Sequence, residues 1–239
     1  MGKVTYIRHG QASLFSENYD QLSEIGKEQA LILGTYYRKQ NQKFDKIYLG
    51  PLNRHIQTLE AIYEAFPSLK NIPVEEEDAL KEHQGYKSLK AILPVLLEKD
   101  KQIKDLANLP YKGRKEKIEH HIRLYDHFAQ RWAIGEFDDL LNGSFQCWND
   151  FFHSCSLVFH KIWNKTRNGE EVLVVTSGGP TSVAYGITTN LSHSEILHFS
   201  SSLYNGSRTH FTRADKQIEV KSSNSIDHFQ DYIDLITLV

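Results

Sequence analysis

The chain has 239 residues, 40% hydrophobic and 24% charged, with 14 Gly and 6 Pro. That balance suits one domain carrying an insertion and excludes collagen-like, low-complexity and disordered chains. With 28 Lys+Arg against 30 Asp+Glu, a formal net charge of -2, no global positive field gathers phosphate backbones, so nucleic acid is not an expected partner.

Taken in order, the first residues place charges at Lys3 and Arg8 and leave no room for the apolar core of a secretory signal. Tyr6 stands where N-myristoylation needs Ser or Thr. No apolar run reaches the roughly 18 residues that span a bilayer; the longest, Ala91–Leu97, is broken by Pro94. A soluble cytoplasmic protein without a membrane partner is expected. Val4–Ile7 is a β-branched and aromatic run that empties into Arg8-His9-Gly10-Gln11, which predicts a strand and a loop. Ser23 caps a predicted helix with Ile25, Ala30, Leu31, Leu33 and Tyr37 at helical spacing, ending near Gln40. A second strand is predicted over Phe44–Leu49, followed by Gly50 and Pro51. Pro51 fits the first turn of a helix through Ile56, Leu59, Ile62 and Tyr63.

After a short strand at Ile72–Glu76 the pattern turns helical, with stretches at Lys87–Leu97, Arg114–Ala133 and Phe145–Lys165. This reads as a helical insertion at about 85–168 in a single domain spanning 1–239. Glu171–Thr176 is a continuous apolar run typical of a central parallel strand, followed by Ser177-Gly178-Gly179-Pro180 and a helix through Asn190. Alternation over Ser207–Thr212 and Gln217–Lys221, with Ala214 and Asp215 between, predicts an antiparallel edge hairpin. The expected fold is α/β: a doubly wound, mostly parallel sheet with helices on both faces, whose ligands collect at the carboxyl ends of the strands.

Several residue types carry no site. Cys147 and Cys155 lie eight residues apart in one helical-looking stretch, about 12 Å of rise, too far for a disulfide. His120 and His127, like His153 and His160, are about 10 Å apart along a helix, too far to share a zinc, and no metal site is expected. The basic stretch Tyr111–Lys117 has Glu116 interleaved and reads as a solvated helix start. Trp132, Phe137, Phe145, Trp148, Phe151 and Phe152 are expected to be mostly core.

The strand ends are different. Arg8 and His9, then Arg54, then Ser177, Gly178 and Gly179 offer guanidinium forks, an imidazole and a glycine-led helix N-terminus. Such groups converge on a phosphoryl group: forked donors match its oxygens, helix N–H groups take its charge, and a neutral imidazole can attack phosphorus. A proton donor for the leaving alkoxide is then required, and Glu82 or Asp78 can supply it.

Three segments, Ile7–Gln11, Leu22–Ala30 and Gly50–Thr58, strongly resemble in order and spacing the histidine phosphatase superfamily, also called phosphoglycerate mutase-like. The resemblance covers most of residues 1–85 and 170–190 and weakens in the insertion, which would set substrate specificity. It implies that His9 is the phosphorylated nucleophile and that Arg8 and Arg54 bind phosphate; Gln11, Ser177 and Gly178, at the same strand ends, are the further candidate phosphate-binding residues. It also implies that Glu82 donates the proton, that no metal or organic cofactor takes part, and that the partner is a small phosphorylated substrate. One departure stands out: where the family carries a second histidine after the central strand, this chain has Ser177. A serine hydroxyl is shorter and never cationic, so a charge-assisted bond of about 1.5–3 kcal/mol becomes neutral or is lost. Such a loss slows catalysis by about 10²–10³. His83, next to Glu82, could swing in to compensate, although a surface or supporting role is the simpler expectation. The reading is a phosphatase acting through a phosphohistidine at His9. The alternative is a phosphate-binding or regulatory protein with weak turnover. A mutase is less favoured, because Ser16–Gln21 lacks the Trp- and Asn-rich stretch that mutases of the family share.

Overall fold

The computed structural model describes residues 1–12, 20–214 and 217–238. Asp215 of the expected hairpin turn and part of the Ser16–Gln21 stretch lie outside them. The strands are β1 (Lys3–Arg8), β2 (Lys46–Leu49), β3 (Val74–Glu76), β4 (Glu171–Thr176), β5 (Arg208–Ala214) and β6 (Gln217–Ser225). The helices are α1 (Glu24–Lys39), α2 (Asn53–Ala65), α3 (Gly85–Lys99), α4 (Lys101–Ala107), α5 (Arg114–Ala133), α6 (Asp138–Leu141), α7 (Trp148–Lys165), α8 (Gly178–Thr189) and α9 (His193–Ser202). No helix among the described residues is long and apolar enough to cross a membrane.

One sheet runs in the order β3-β2-β4-β1-β5-β6. Its first four strands are parallel, while β5 pairs antiparallel with β1 and β6 with β5. Alternation along the strands sends side chains to two cores. Ile7, Ile47, Leu49, Leu173 and Val175 pack with Leu33 and Tyr37 of α1 and Leu59 and Ile62 of α2. Val4, Tyr6, Tyr48, Val172 and Val174 pack with Phe159, Ile162 and Trp163 of α7 and with Ala184 of α8. Helices therefore cover both faces, which is why β4 reads as an unbroken apolar run. The chain divides into two compact units, Met1–Glu82 with Ser154–Val239, and His83–His153. The second is helical, and Trp132, Phe137, Trp148 and Phe151 are buried in it, as expected for most of the aromatics there, while Phe145 is exposed.

Local signals account for most element ends. The Ser23 hydroxyl accepts from the Gly26 N–H and caps α1, an interaction worth about 1 kcal/mol. Asn190 closes α8 in the left-handed region at φ 58°. Elsewhere the structure corrects the expectation. β2 begins at Lys46, not Phe44, because Phe44 turns its ring edge-on to Tyr37, with centroids 5.2 Å apart, before the ladder starts. Pro51 lies outside α2, whose cap is Leu52 in extended conformation at φ -77° and ψ 145°. Pro94 is accommodated inside α3. Cys147 precedes α7 rather than lying in it, and its Sγ accepts from the Asp150 N–H at 3.4 Å; both cysteines are free thiols. Helices α4, α6 and α9 were not anticipated, although α9 carries a capping box between Ser192 and Glu195.

Candidate active site

The sheet register gathers the site. Arg8 of β1 lies opposite Thr176 of β4, so His9 and Ser177 leave the sheet side by side. Leu49 of β2 lies opposite Val175, and the chain then passes through Gly50 into the first turn of α2, which carries Arg54 and His55. Backbone bonds fix these exits: the His9 N–H donates to Thr176 O and the Gly50 N–H to Val175 O, each at 2.9 Å. Gly10 is held in turn by Thr58, whose Oγ1 accepts from the Gly10 N–H at 3.1 Å and donates to the Arg54 carbonyl at 2.7 Å.

His9 is 5% exposed. Its Nδ1 lies 2.6 Å from the Gly10 carbonyl oxygen, which can only accept, so Nδ1 carries the proton and Nε2 the lone pair. The Nε–H of Arg54 donates to that Nε2 at 3.0 Å. Burial, then the charge of Arg54, the His55 ring and the charge of Arg8 hold the His9 pKa well below the ordinary histidine value. A neutral imidazole is therefore the resident form at neutral pH.

Arg54 is 6% exposed, and its guanidinium reaches His9, Asp20 and Ser177 among the described residues. Besides His9, its Nη1 donates to Asp20 Oδ1 at 2.8 Å and its Nη2 to Ser177 Oγ at 3.4 Å. Asp20 also accepts from the Asn53 N–H at 2.9 Å, which ties the carboxylate to the start of α2. Ser177 and His55 are fully buried, and Ser177 Oγ lies 2.7 Å from His55 Nε2. Burial, with the nearby Arg54 charge, lowers the His55 pKa to about 3. Gly50 makes the room: a Cβ there would stand 2.2 Å from His55 Nδ1.

The other expected residues are placed as follows. Glu82 lies at the N-terminus of α8, where both carboxylate oxygens accept from the Gly179 N–H at 3.2 Å. Asp78 instead pairs with Lys81 at 2.6 Å and its side chain is 77% exposed. The Arg8 Nη1 donates to the carbonyls of Leu203 and Leu238, the latter at 2.7 Å. Its Nε would lie 3.7 Å from a Cβ on Gly178, so the side chain runs along the start of α8. Gln11 turns toward α1, where its Oε1 accepts from Ser23 Oγ at 2.8 Å. His83 belongs to the helical unit and packs among Trp132, Trp148 and Phe151, with ring centroids at 5.5, 6.3 and 5.5 Å. The structure thus brings His9, Arg54 and Ser177 into direct contact and adds two residues that sequence reasoning missed, Asp20 and His55. Position 55 had a usable signal, an imidazole directly after the motif arginine in the first turn of a helix that starts at a strand end.

Residues 4–87 match the model of the histidine phosphatase superfamily (branch 1). No curated protein matches the chain in sequence. Among solved structures the chain is similar to Bacillus stearothermophilus YhfR, with TM-score 0.65 and 17% identity over 95% of this chain and 99% of that one. It is also similar to phosphoglycerate mutase from Bacillus anthracis str. Sterne, with TM-score 0.60 and 18% identity over 95% and 94%. Phosphoserine phosphatase from Entamoeba histolytica, solved with 3-phosphoglyceric acid, gives TM-score 0.56 and 17% identity over 95% and 99%. At such identities the likeness is one of fold. The chain therefore matches the histidine phosphatase superfamily model over residues 4–87 and shares, over nearly its whole length, the fold of these solved structures, a phosphoglycerate mutase among them.

Proposed function

We propose that the protein is a phosphatase that hydrolyses a small phosphomonoester through a phosphohistidine at His9. The observation that carries this reading is the lone pair on His9 Nε2, held in a buried neutral ring and faced by the Arg54 guanidinium at 3.0 Å. An imidazole that stays unprotonated at neutral pH is a competent nucleophile, and a guanidinium at its attacking atom is positioned for the oxygens of the phosphoryl group that arrives there.

In the first step Nε2 forms a bond to phosphorus as the bond to the substrate oxygen breaks. Glu82, held on the Gly179 N–H at the head of α8, gives the leaving alkoxide its proton. Arg54 turns from Nε2 to the non-bridging oxygens, and the first N–H groups of α8 share their charge. In the second step water attacks phosphorus, its proton passes to Glu82, the P–N bond breaks, and free phosphate and neutral His9 return. Phosphatases and a mutase among the similar structures support the reaction class. The alternative, a phosphate-binding protein with weak turnover, is favoured by one observation: the group at position 177 is a neutral hydroxyl already engaged by His55 and Arg54.

Steady-state hydrolysis of a generic aryl phosphate separates the two readings. The phosphatase reading expects turnover that falls at least about 10³-fold in His9→Ala. A wild-type protein that binds phosphate but releases none from the ester supports the alternative.

A further inference from the structure

We propose that His55 is a positioning residue for phosphoryl transfer at His9, acting through the hydroxyl of Ser177. The inference rests on the reading of His9 as nucleophile and adds to it a residue outside the expected set. Four side chains form a chain of contacts in the buried floor of the site: His55 Nε2 to Ser177 Oγ at 2.7 Å, Ser177 Oγ to Arg54 Nη2 at 3.4 Å, and Arg54 Nε to His9 Nε2 at 3.0 Å. The two rings at its ends lie with centroids 5.6 Å apart. Ser177 is the pivot. Its oxygen has one proton and two lone pairs; Arg54 can only donate to it, and His55 occupies a second position, so the direction of the remaining one is set. Without His55 the hydroxyl rotates freely and one arm of the Arg54 fork loses its fixed partner. The forked geometry of an arginine is useful only when its plane is held.

A purely structural histidine does not explain the arrangement. Burial makes a hydrocarbon of similar volume the easier filler for this slot, and Gly50 is required so that the ring fits beside the backbone. The ring is also uncharged: burial and the Arg54 charge keep it neutral, so it adds no charge to the site, and its Nε2 is taken up by Ser177 Oγ.

The test uses side chains that imitate one ring nitrogen each. His55→Gln reaches the position of Nε2 and can still touch Ser177; His55→Asn reaches only that of Nδ1. With an aryl phosphate, kcat is expected to fall about 10–100-fold in His55→Asn with KM within about twofold, and to return to within about fivefold of wild type in His55→Gln. Ser177→Ala removes a single oxygen without adding bulk and is expected to match His55→Asn. The double variant is expected to lose no more than either single one, because the two side chains act as a unit. Independent, multiplying losses, or a His55→Asn variant with wild-type kcat, overturn the proposal while leaving His9 as nucleophile. Turnover that survives in His9→Ala overturns that reading and this proposal with it.

Discussion

Arg54 donates its Nε–H to the Nε2 of His9 at 3.0 Å, so the cation of the site rests on the atom that would attack phosphorus. The contact forms only with an unprotonated ring, because an imidazolium presents an N–H to the guanidinium in place of a lone pair. Burial and Arg54 both act in that direction.

A pH profile follows. Attack requires neutral His9, whose pKa is lowered, so the acid limb of kcat/KM is expected well below the ordinary histidine value of 6.5. Arg54→Gln removes the charge nearest the ring and should move that limb upward, although burial, the larger cause, still keeps it below 6.5. Rates measured from about pH 5 to 8 check this. A limb at or above 6.5 in wild type would show a solvated or acid-stabilised ring.

The ion pair of Asp20 with Arg54 competes with any phosphate for the same guanidinium. Asp20→Asn keeps an acceptor for the Asn53 N–H and removes the charge. A partly exposed pair of this kind is worth on the order of 1 kcal/mol, so inhibition by orthovanadate should tighten about fivefold while thermal stability changes little. Weaker inhibition would mean that Asp20 orients Arg54 instead of competing for it.

Gly50→Ala places a methyl group 2.2 Å from His55 Nδ1 and 2.8 Å from the Leu80 carbonyl. Overpacking of that kind costs about 1–3 kcal/mol, and here it also drives the imidazole from Ser177. Both the unfolding midpoint and kcat should fall together. A fall in stability alone would separate the glycine from the site.

Acid stability gives a fourth expectation. His9, His55 and His228 are buried and His210 half-buried, all with lowered pKa values, about 4 for His210 and about 3 for His55 and His228. The unfolded chain therefore binds protons that the folded one does not once the pH drops through 6.5, and stability falls with the pH. Each ring contributes up to about 1.4 kcal/mol per pH unit in that window. Urea unfolding at about pH 7.5 and pH 5 should show the loss, and His228→Phe should reduce it. Equal stability at both values would mean that these rings are solvated.

Much of this architecture was legible in the sequence. The apolar run Val172–Val175 marks a central strand because both of its faces are covered, and the Ser23 cap and Gly178-Gly179 mark helix starts through chemistry that acts within a few residues. Contacts between distant segments were not legible. His55 faces Ser177 across 122 positions only because β2 and β4 are neighbours and Gly50 lacks a Cβ. The engagement of Arg8 with Leu203 and Leu238 depends on where two late segments return, which no local pattern encodes. Helix α9 was missed because its apolar stripe is narrow, with Ile196 and Leu197 its buried residues, although Ser192 and Glu195 announced its start.

The most direct measurement is acid-free trapping of the enzyme during turnover of an aryl phosphate, followed by peptide mapping of the phosphoryl label. The account predicts one label, on the peptide containing His9, acid-labile and absent from His9→Ala. A label on another residue, or rapid hydrolysis with no labelled enzyme at all, would contradict it.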